Sequence, residues 1–223
     1  MKKREYIFGT NALAHILMYF LQEYGHDVQG FVLNKKYVAD NKVTACANPI
    51  LGIEDEIEQY GSSNIAVYVA TGYANMNNDR RAIFSWLEEN KIDILSYIHP
   101  TACVASNVTI GKGNVILENT VIQPFSSIGK GNIIWNNVSL CHHSAMGSFN
   151  YISPSATIAG RVYIGNMSFL GASCTIKNDV CIGDMVLIGA GSCVNKSLND
   201  TQVFLPAQGY ILYDKTSSDI QLE

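Results

Sequence analysis

The hydrophobic positions of this chain follow two rhythms. From Ile98 to Val194 every sixth residue is aliphatic without a slip, through Ile116, Ile134, Ile152, Leu170 and Ile188 among others. Two residues ahead of most of them stands a small or β-branched side chain, as at Thr120, Ser126, Val138, Ala156 and Ser168, a pattern that Asn114, Asn132 and Asn150 interrupt. A period of six fits neither the 3.6 of a helix nor the 2 of an ordinary strand. It predicts a β-solenoid, in which short strands form flat faces and each turn stacks on the one before. Three such steps close a triangular coil of about 18 residues, so the repeat holds about five coils with the aliphatic side chains inside. Glycine follows the aliphatic residue at Gly111, Gly129, Gly147, Gly165, Gly171, Gly183 and Gly189, where a tight corner benefits from the missing Cβ.

Before the repeat, short apolar runs alternate with helical patterns. Tyr6 to Phe8, Val28 to Leu33 and Ala66 to Ala70 read as strands, and Ile92 to Ile98 as a last strand entering the first coil. Ala12 to Tyr24, Glu54 to Tyr60 and Asp79 to Asn90 read as helices. This alternation predicts a small α/β domain, a short Rossmann-like parallel sheet with helices on its faces. Residues 1–97 form that domain, 98–196 the solenoid, and 197–223 a C-terminal strand and tail. Ligands of such sheets bind beyond the carboxyl ends of the strands, which here are Gly9, Thr10 and Asn11, Asn34, and Thr71, Gly72 and Tyr73. The stretch FGTNALA keeps only one glycine of a dinucleotide fingerprint, and Asn34 stands where a ribose-binding acid is expected. That argues against a dinucleotide; the plainer reading is a strand-to-helix turn with Asn11 as helix cap.

Composition narrows the choice of partner. Charged residues are 15% of the 223 and the formal net charge is -4, which leaves no basic face for nucleic acid and no polybasic membrane patch. No stretch has the length of an apolar membrane span. The apolar run near the N-terminus is broken by Gly9, Thr10, Asn11 and His15 and lacks a signal cleavage site. A cytoplasmic protein acting on small molecules is expected. Cys46, Cys103, Cys141, Cys174, Cys181 and Cys193 show no metal spacing, and are expected to be free thiols serving as small core residues.

The stretches ISPSATIAGRVYIGNMSFLGASCTI and IGAGSCVNKS resemble the left-handed β-helix of the hexapeptide-repeat acyltransferases. IFGTNALAHILMYFL, DVQGFVL, VATGYANMNNDR, ILENTVIQPFSSIG and IIWNN are similar, in that order, to bacterial sugar acyltransferases of surface-polysaccharide synthesis. That resemblance implies an N-terminal nucleotide-sugar-binding domain, a homotrimer, and transfer from acetyl-CoA or another acyl-CoA to a nucleotide-linked amino sugar.

Within that frame the histidine pair at 142 and 143 gains a role. Residues one coil apart stack, so Pro124, His142, Gly160, Asn178 and Lys196 share one column, and Lys196 lies about 14 Å from His142 at the usual interstrand spacing. His142 is placed as the general base. Gly160 offers a backbone N–H to the thioester oxygen, and Lys196 can meet a phosphate of the acyl donor. Gly171, Ala172, Asn178, Gly189 and Ala190 join Lys196 as acyl-CoA-binding candidates by the resemblance. Many relatives carry Asp or Glu after the catalytic histidine; His143 here can orient His142 only through a nitrogen lone pair, and solvated corner residues are the plainer alternative for both. His99 reads as a linker residue in a turn before Pro100, and His15 and His26 as surface or capping residues. A zinc site would need three separated imidazoles, which the solenoid does not offer, so no metal is expected. Two alternatives stand beside N-acylation: sugar O-acylation, and a scaffold that kept the fold without the activity, to which VFLPAQG, in place of the usual glycine-proline-alanine ending, lends some support.

Overall fold

The computed structural model describes residues 3–38, 48–207, 209 and 213. Cys46 and, Tyr213 aside, the tail expected from Tyr210 onward lie outside them. The first part is a five-stranded sheet of β1 (Arg4–Phe8), β2 (Val28–Leu33), β3 (Ile50–Gly52), β4 (Ile65–Val69) and β5 (Asp93–Leu95). All pairs are parallel and the order is β3-β2-β1-β4-β5, the order of a doubly wound sheet. Strand alternation divides its two faces. Ile7 and Tyr68 pack under α1 (Ala12–Glu23), whereas Tyr6, Phe8, Val67 and Val69 pack with α2 (Ile53–Tyr60) and α3 (Asn78–Glu89). Sequence reading missed β3, which is too short to carry a period. It also joined two strands that part at Ser96: Asp93–Leu95 belongs to this sheet and Tyr97–Ile98 to the solenoid.

The solenoid is a three-sided parallel β-helix. Face one runs from Tyr97–Ile98 through Val115–Ile116, Ile133–Ile134, Tyr151–Ile152, Phe169–Leu170 and Leu187–Ile188 to Val203–Phe204. Face two begins at Cys103–Val104 and ends at Cys193–Val194; face three begins at Thr109–Ile110 and ends at Cys181–Ile182. The second residue of each two-residue strand points inward, and from Ile116 to Val194 these side chains form one continuous buried core, each worth roughly 1.5–3 kcal/mol of burial. Ile98 is 42% exposed, because the first coil has nothing beneath it.

Three sequence expectations need refinement or correction. The glycines that follow aliphatic residues do have to lack a Cβ, as expected, and the reason is that the next coil passes close, not a left-handed backbone. A Cβ on Gly111 would meet the Gly129 carbonyl at 2.8 Å, and one on Gly147 the Gly165 oxygen at 2.6 Å. The left-handed residue lies two places later, and it is often not glycine: Asn119, Phe125, Asn137, His143, Arg161 and Asp179 all have φ between 54° and 65°. Second, among the described cysteines only Cys174 is a core residue, with burial pushing its thiol up to about 11. Cys103, Cys181 and Cys193 occupy the outward position of their strands and are exposed, and Cys141 is half-buried. Third, the register of 18 does not persist to the end. It holds through Ile176–Val194, after which Leu198 bridges Ile182 and Val203 pairs with Leu187, so the last coil is two residues shorter.

The asparagines that interrupted the repeat are a ladder of their own. Asn114, Asn132 and Asn150 are fully buried. The Asn132 N–H donates to Asn114 Oδ1 (2.8 Å), the Asn150 N–H to Asn132 Oδ1 (2.8 Å) and the Ser168 N–H to Asn150 Oδ1 (2.8 Å). Their Nδ2 groups donate to carbonyls one coil on, Gly129, Gly147 and Gly165. Each buried amide is thus paired, as the interior demands.

The α/β domain sits on face one. Tyr97, Val115, Ile133 and Tyr151 pack in one cluster with Leu17, Leu21 and Phe31. Arg80 locks the joint. It is fully buried, and its guanidinium donates to the carbonyls of Thr71 (3.2 Å) and Gly72 (2.8 Å) on its own domain, and of Gly131 (2.9 Å), Phe149 (2.8 Å) and Asn150 (3.0 Å) on the solenoid. Burial pushes its pKa down to about 9, so it stays charged at neutral pH. Asn77 adds bonds to the Met167 and Ser168 carbonyls and accepts one from Arg80. His99 is buried in the same joint, ringed by Phe20, Tyr24 and Tyr97. Its Nδ1 accepts the Thr101 N–H at 3.2 Å, which makes it a packed element of the first turn rather than a simple linker.

Candidate active site

On the edge between faces two and three the chain turns at Pro124, His142 and Gly160. The carbonyl of each accepts from the coil above: Pro124 from the His143 N–H, His142 from the Arg161 N–H and Gly160 from the Asp179 N–H. These bonds confirm the stacking of the three. The half-buried His142 ring lies over the Gly160 Cα so closely that a Cβ there would sit 2.6 Å from Cε1 and 2.8 Å from Nε2. Only glycine fits. The Gly160 N–H has no backbone partner among the described residues. The His142 N–H donates to Gln123 Oε1 at 3.0 Å, anchoring the turn from the coil below.

The two histidines meet through their rings. His142 Nδ1 is 3.1 Å from His143 Nδ1, so one nitrogen donates and the other accepts. His143 is exposed and stacks on Phe125, with ring centroids 4.7 Å apart and planes inclined by 28°. With a proton on Nδ1 shared toward His143, His142 presents an unprotonated Nε2 beside Gly160. A base beside an unpaired amide on a side-chain-free surface is what proton abstraction with oxyanion stabilisation requires.

The remaining candidates divide. Asn178 and Lys196 are exposed on the same edge as His142, but Lys196 lies in the shortened crossing, so it is not in strict register with Gly160. Gly171, Ala172, Gly189 and Ala190 stack on one another at a different edge, between faces one and two, beside Leu205 and Pro206. One prism does not bring them to His142.

In the α/β domain, Gly9, Thr10, Asn11, Asn34 and Thr71 line one cavity of about 540 Å³ at the carboxyl ends of the strands. Asn11 also caps α1, accepting the Ala14 N–H at 3.1 Å. Asn34 donates to Glu54 of α2 at 3.3 Å. Gly72 and Tyr73 face elsewhere: the Gly72 carbonyl is held by Arg80, and the Tyr73 ring rests on Tyr151 and Phe169. Lys36, Tyr37 and Asp79 also line it, beside the apolar Phe8, Leu33, Ala82 and Ile83, and escaped sequence reading. The signal for Lys36 was its place just past a strand end. His26 pairs with Glu5 at 3.0 Å and His15 packs on Phe31. Among the described residues no three His, Cys, Asp or Glu side chains cluster as a metal site needs, and no helix is long and apolar enough to cross a membrane.

Comparison with family profiles and with curated proteins found no match. Solved structures, in contrast, match over nearly the whole chain. PerB from Caulobacter crescentus, in complex with CoA and GDP-perosamine, is 25% identical with a TM-score of 0.80, covering 91% of this chain and 93% of that one. A variant of perosamine N-acetyltransferase from the same organism, also with CoA and GDP-perosamine, is 24% identical with a TM-score of 0.81, over 91% and 93% of the two chains. The acetyltransferase domain of PglB from Neisseria gonorrhoeae, in complex with acetyl coenzyme A, is 21% identical with a TM-score of 0.80, over 94% of this chain and 100% of that one. The resemblance to sugar acyltransferases read from the sequence is borne out.

Proposed function

We propose that this chain is an acyl-CoA-dependent N-acyltransferase that acts on the amine of a nucleotide-linked amino sugar, on a left-handed β-helix assembled as a homotrimer. The observation that carries the reading is the His142 ring seated over Gly160. The similar structure from Caulobacter crescentus at 25% identity, with CoA and GDP-perosamine bound, supports the substrate class.

In the proposed reaction His142 Nε2 accepts a proton as the sugar amine adds to the thioester carbonyl, and the Gly160 N–H donates to the oxygen that becomes anionic. His143 accepts the Nδ1–H of His142 and thereby selects the reactive tautomer. The carbon–sulfur bond then breaks and the proton held by His142 passes to the leaving thiolate, so the imidazole returns to its starting state. Asn178 and Lys196 provide polar contacts for the acyl donor along the edge. No covalent acyl-enzyme is required.

Geometry also favours sharing the site between subunits. The nucleotide cavity belongs to a domain docked on face one, whereas His142 lies on the edge opposite that face. Within one chain the solenoid therefore stands between the cavity and His142. A neighbour's cavity facing this chain's His142, with the neighbour's Gly171 to Ala190 edge completing the donor cleft, removes the conflict.

The test is thiol release from acetyl-CoA in the presence of a panel of nucleotide-linked amino sugars and their hydroxyl analogues. Release that depends on an amino sugar supports the reading. Release with none of them, or only with the hydroxyl analogues, overturns it.

A further inference from the structure

We infer that Phe125 is a positioning residue for the reaction, acting through His143. This rests on His142 being the base. Phe125 occupies the left-handed corner position of its coil, with φ 65°, where a bulky side chain is strained and glycine is at ease. At Phe149 bulk in the same position is explained by packing, since its ring is buried against Phe84 of α3. Phe125 instead stays 65% exposed, and its ring contact is with His143, one coil above.

His143 needs that support. It is itself exposed and left-handed, φ 59°, and the next residue of its column turns away: Arg161 is engaged by Asp179 through two bonds of 2.6 and 2.8 Å. The Phe125 face therefore fixes the plane in which His143 presents Nδ1 to His142 Nδ1. Without it His143 is free to swing into solvent, His142 loses its acceptor, and its proton redistributes between Nδ1 and Nε2. Molecules with the proton on Nε2 cannot act as base.

The experiment compares Phe125→Gly, which removes the ring and relieves the backbone, with Phe125→Tyr, which keeps the ring, each alone and in a His143→Ala background. Phe125→Gly should lower kcat about three- to tenfold, the scale of one stacked aromatic pair, with KM for acetyl-CoA and thermal midpoint not worsened. Phe125→Tyr should restore kcat, and in the His143→Ala background Phe125→Gly should have no further effect. Imidazole 15N spectra should show less His142 Nδ1–H in Phe125→Gly. An unchanged kcat, or an equal fall with and without His143, overturns the inference. Failure of the underlying reading is separate, since it appears as activity retained by His142→Gln.

Discussion

Replacing Arg80 with Met removes the charged lock between the domains while keeping most of the side chain's volume. Four backbone carbonyls, those of Thr71, Gly72, Gly131 and Phe149, accept from Arg80 and, among the described residues, from no backbone group. The Asn150 carbonyl keeps a bond from the Ile133 N–H. Each orphaned acceptor costs about 1 kcal/mol at the low end when buried, as those of Gly131 and Phe149 are, and less at the part-buried Thr71 and Gly72, while relief from desolvating the guanidinium offsets part of the sum. The expected loss is about 2–3 kcal/mol. Arg80→Lys should recover part of it, because an ammonium has only three donors. The two tryptophans report the domains separately: Trp86 lies on α3 and packs into the α/β core, and Trp135 packs on the solenoid side of the joint. Urea unfolding of single-tryptophan variants should show the Trp86 transition moving to much lower denaturant in Arg80→Met, with the Trp135 transition moving less. A loss below about 1 kcal/mol would refute the reasoning, because the four carbonyls would then have found water or other donors at little cost.

Gly160→Ala places a methyl group 2.6 Å from His142 Cε1, so the ring must move; kcat should fall by about 100-fold while urea unfolding changes little. Asn132→Val breaks the buried ladder, leaving the Asn150 N–H and the Gly147 carbonyl without their side-chain partner, and should cost about 2–4 kcal/mol in equilibrium unfolding. Co-expression of a His142→Ala chain with a chain whose cavity is filled by Gly9→Trp should restore about a quarter of the wild-type activity, since a symmetric ring then pairs intact halves at one interface in four; no restoration would exclude a shared site.

The solenoid was legible because one aliphatic position in six has only one periodic explanation, and the stacking of His142 on Gly160 followed directly from that period. What failed to read through depends on contacts between coils. The glycines at 111, 129 and 147 looked like corner residues, yet their constraint comes from the neighbouring coil's backbone. The asparagines looked like interruptions because a ladder of amides is recognisable only when residues 18 apart are known to touch. The shortened last coil was signalled by Leu198 and Asp200, since the expected aliphatic residue arrives two places early, and so the strict column to Lys196 was over-extended. Arg80 sat on the polar side of an amphipathic pattern, and nothing local marks it as buried, because its acceptors at Gly131 and Phe149 are 51 and 69 residues away. The cavity lining was half legible: strand ends locate Gly9, Asn34 and Thr71, whereas Asp79 arrives from a helix that topology alone brings over them.

The most direct measurement is the steady-state rate of His142→Asn with acetyl-CoA and an accepted nucleotide-linked amino sugar, alongside calorimetric binding of CoA to the same variant. A positioned general base contributes about 100- to 10,000-fold, so kcat/KM should drop within that range while CoA affinity is kept. A variant that retains kcat/KM within about tenfold of the native chain, with CoA still bound, would mean that the proton leaves by another route and that the edge at His142 and Gly160 is not where acyl transfer occurs.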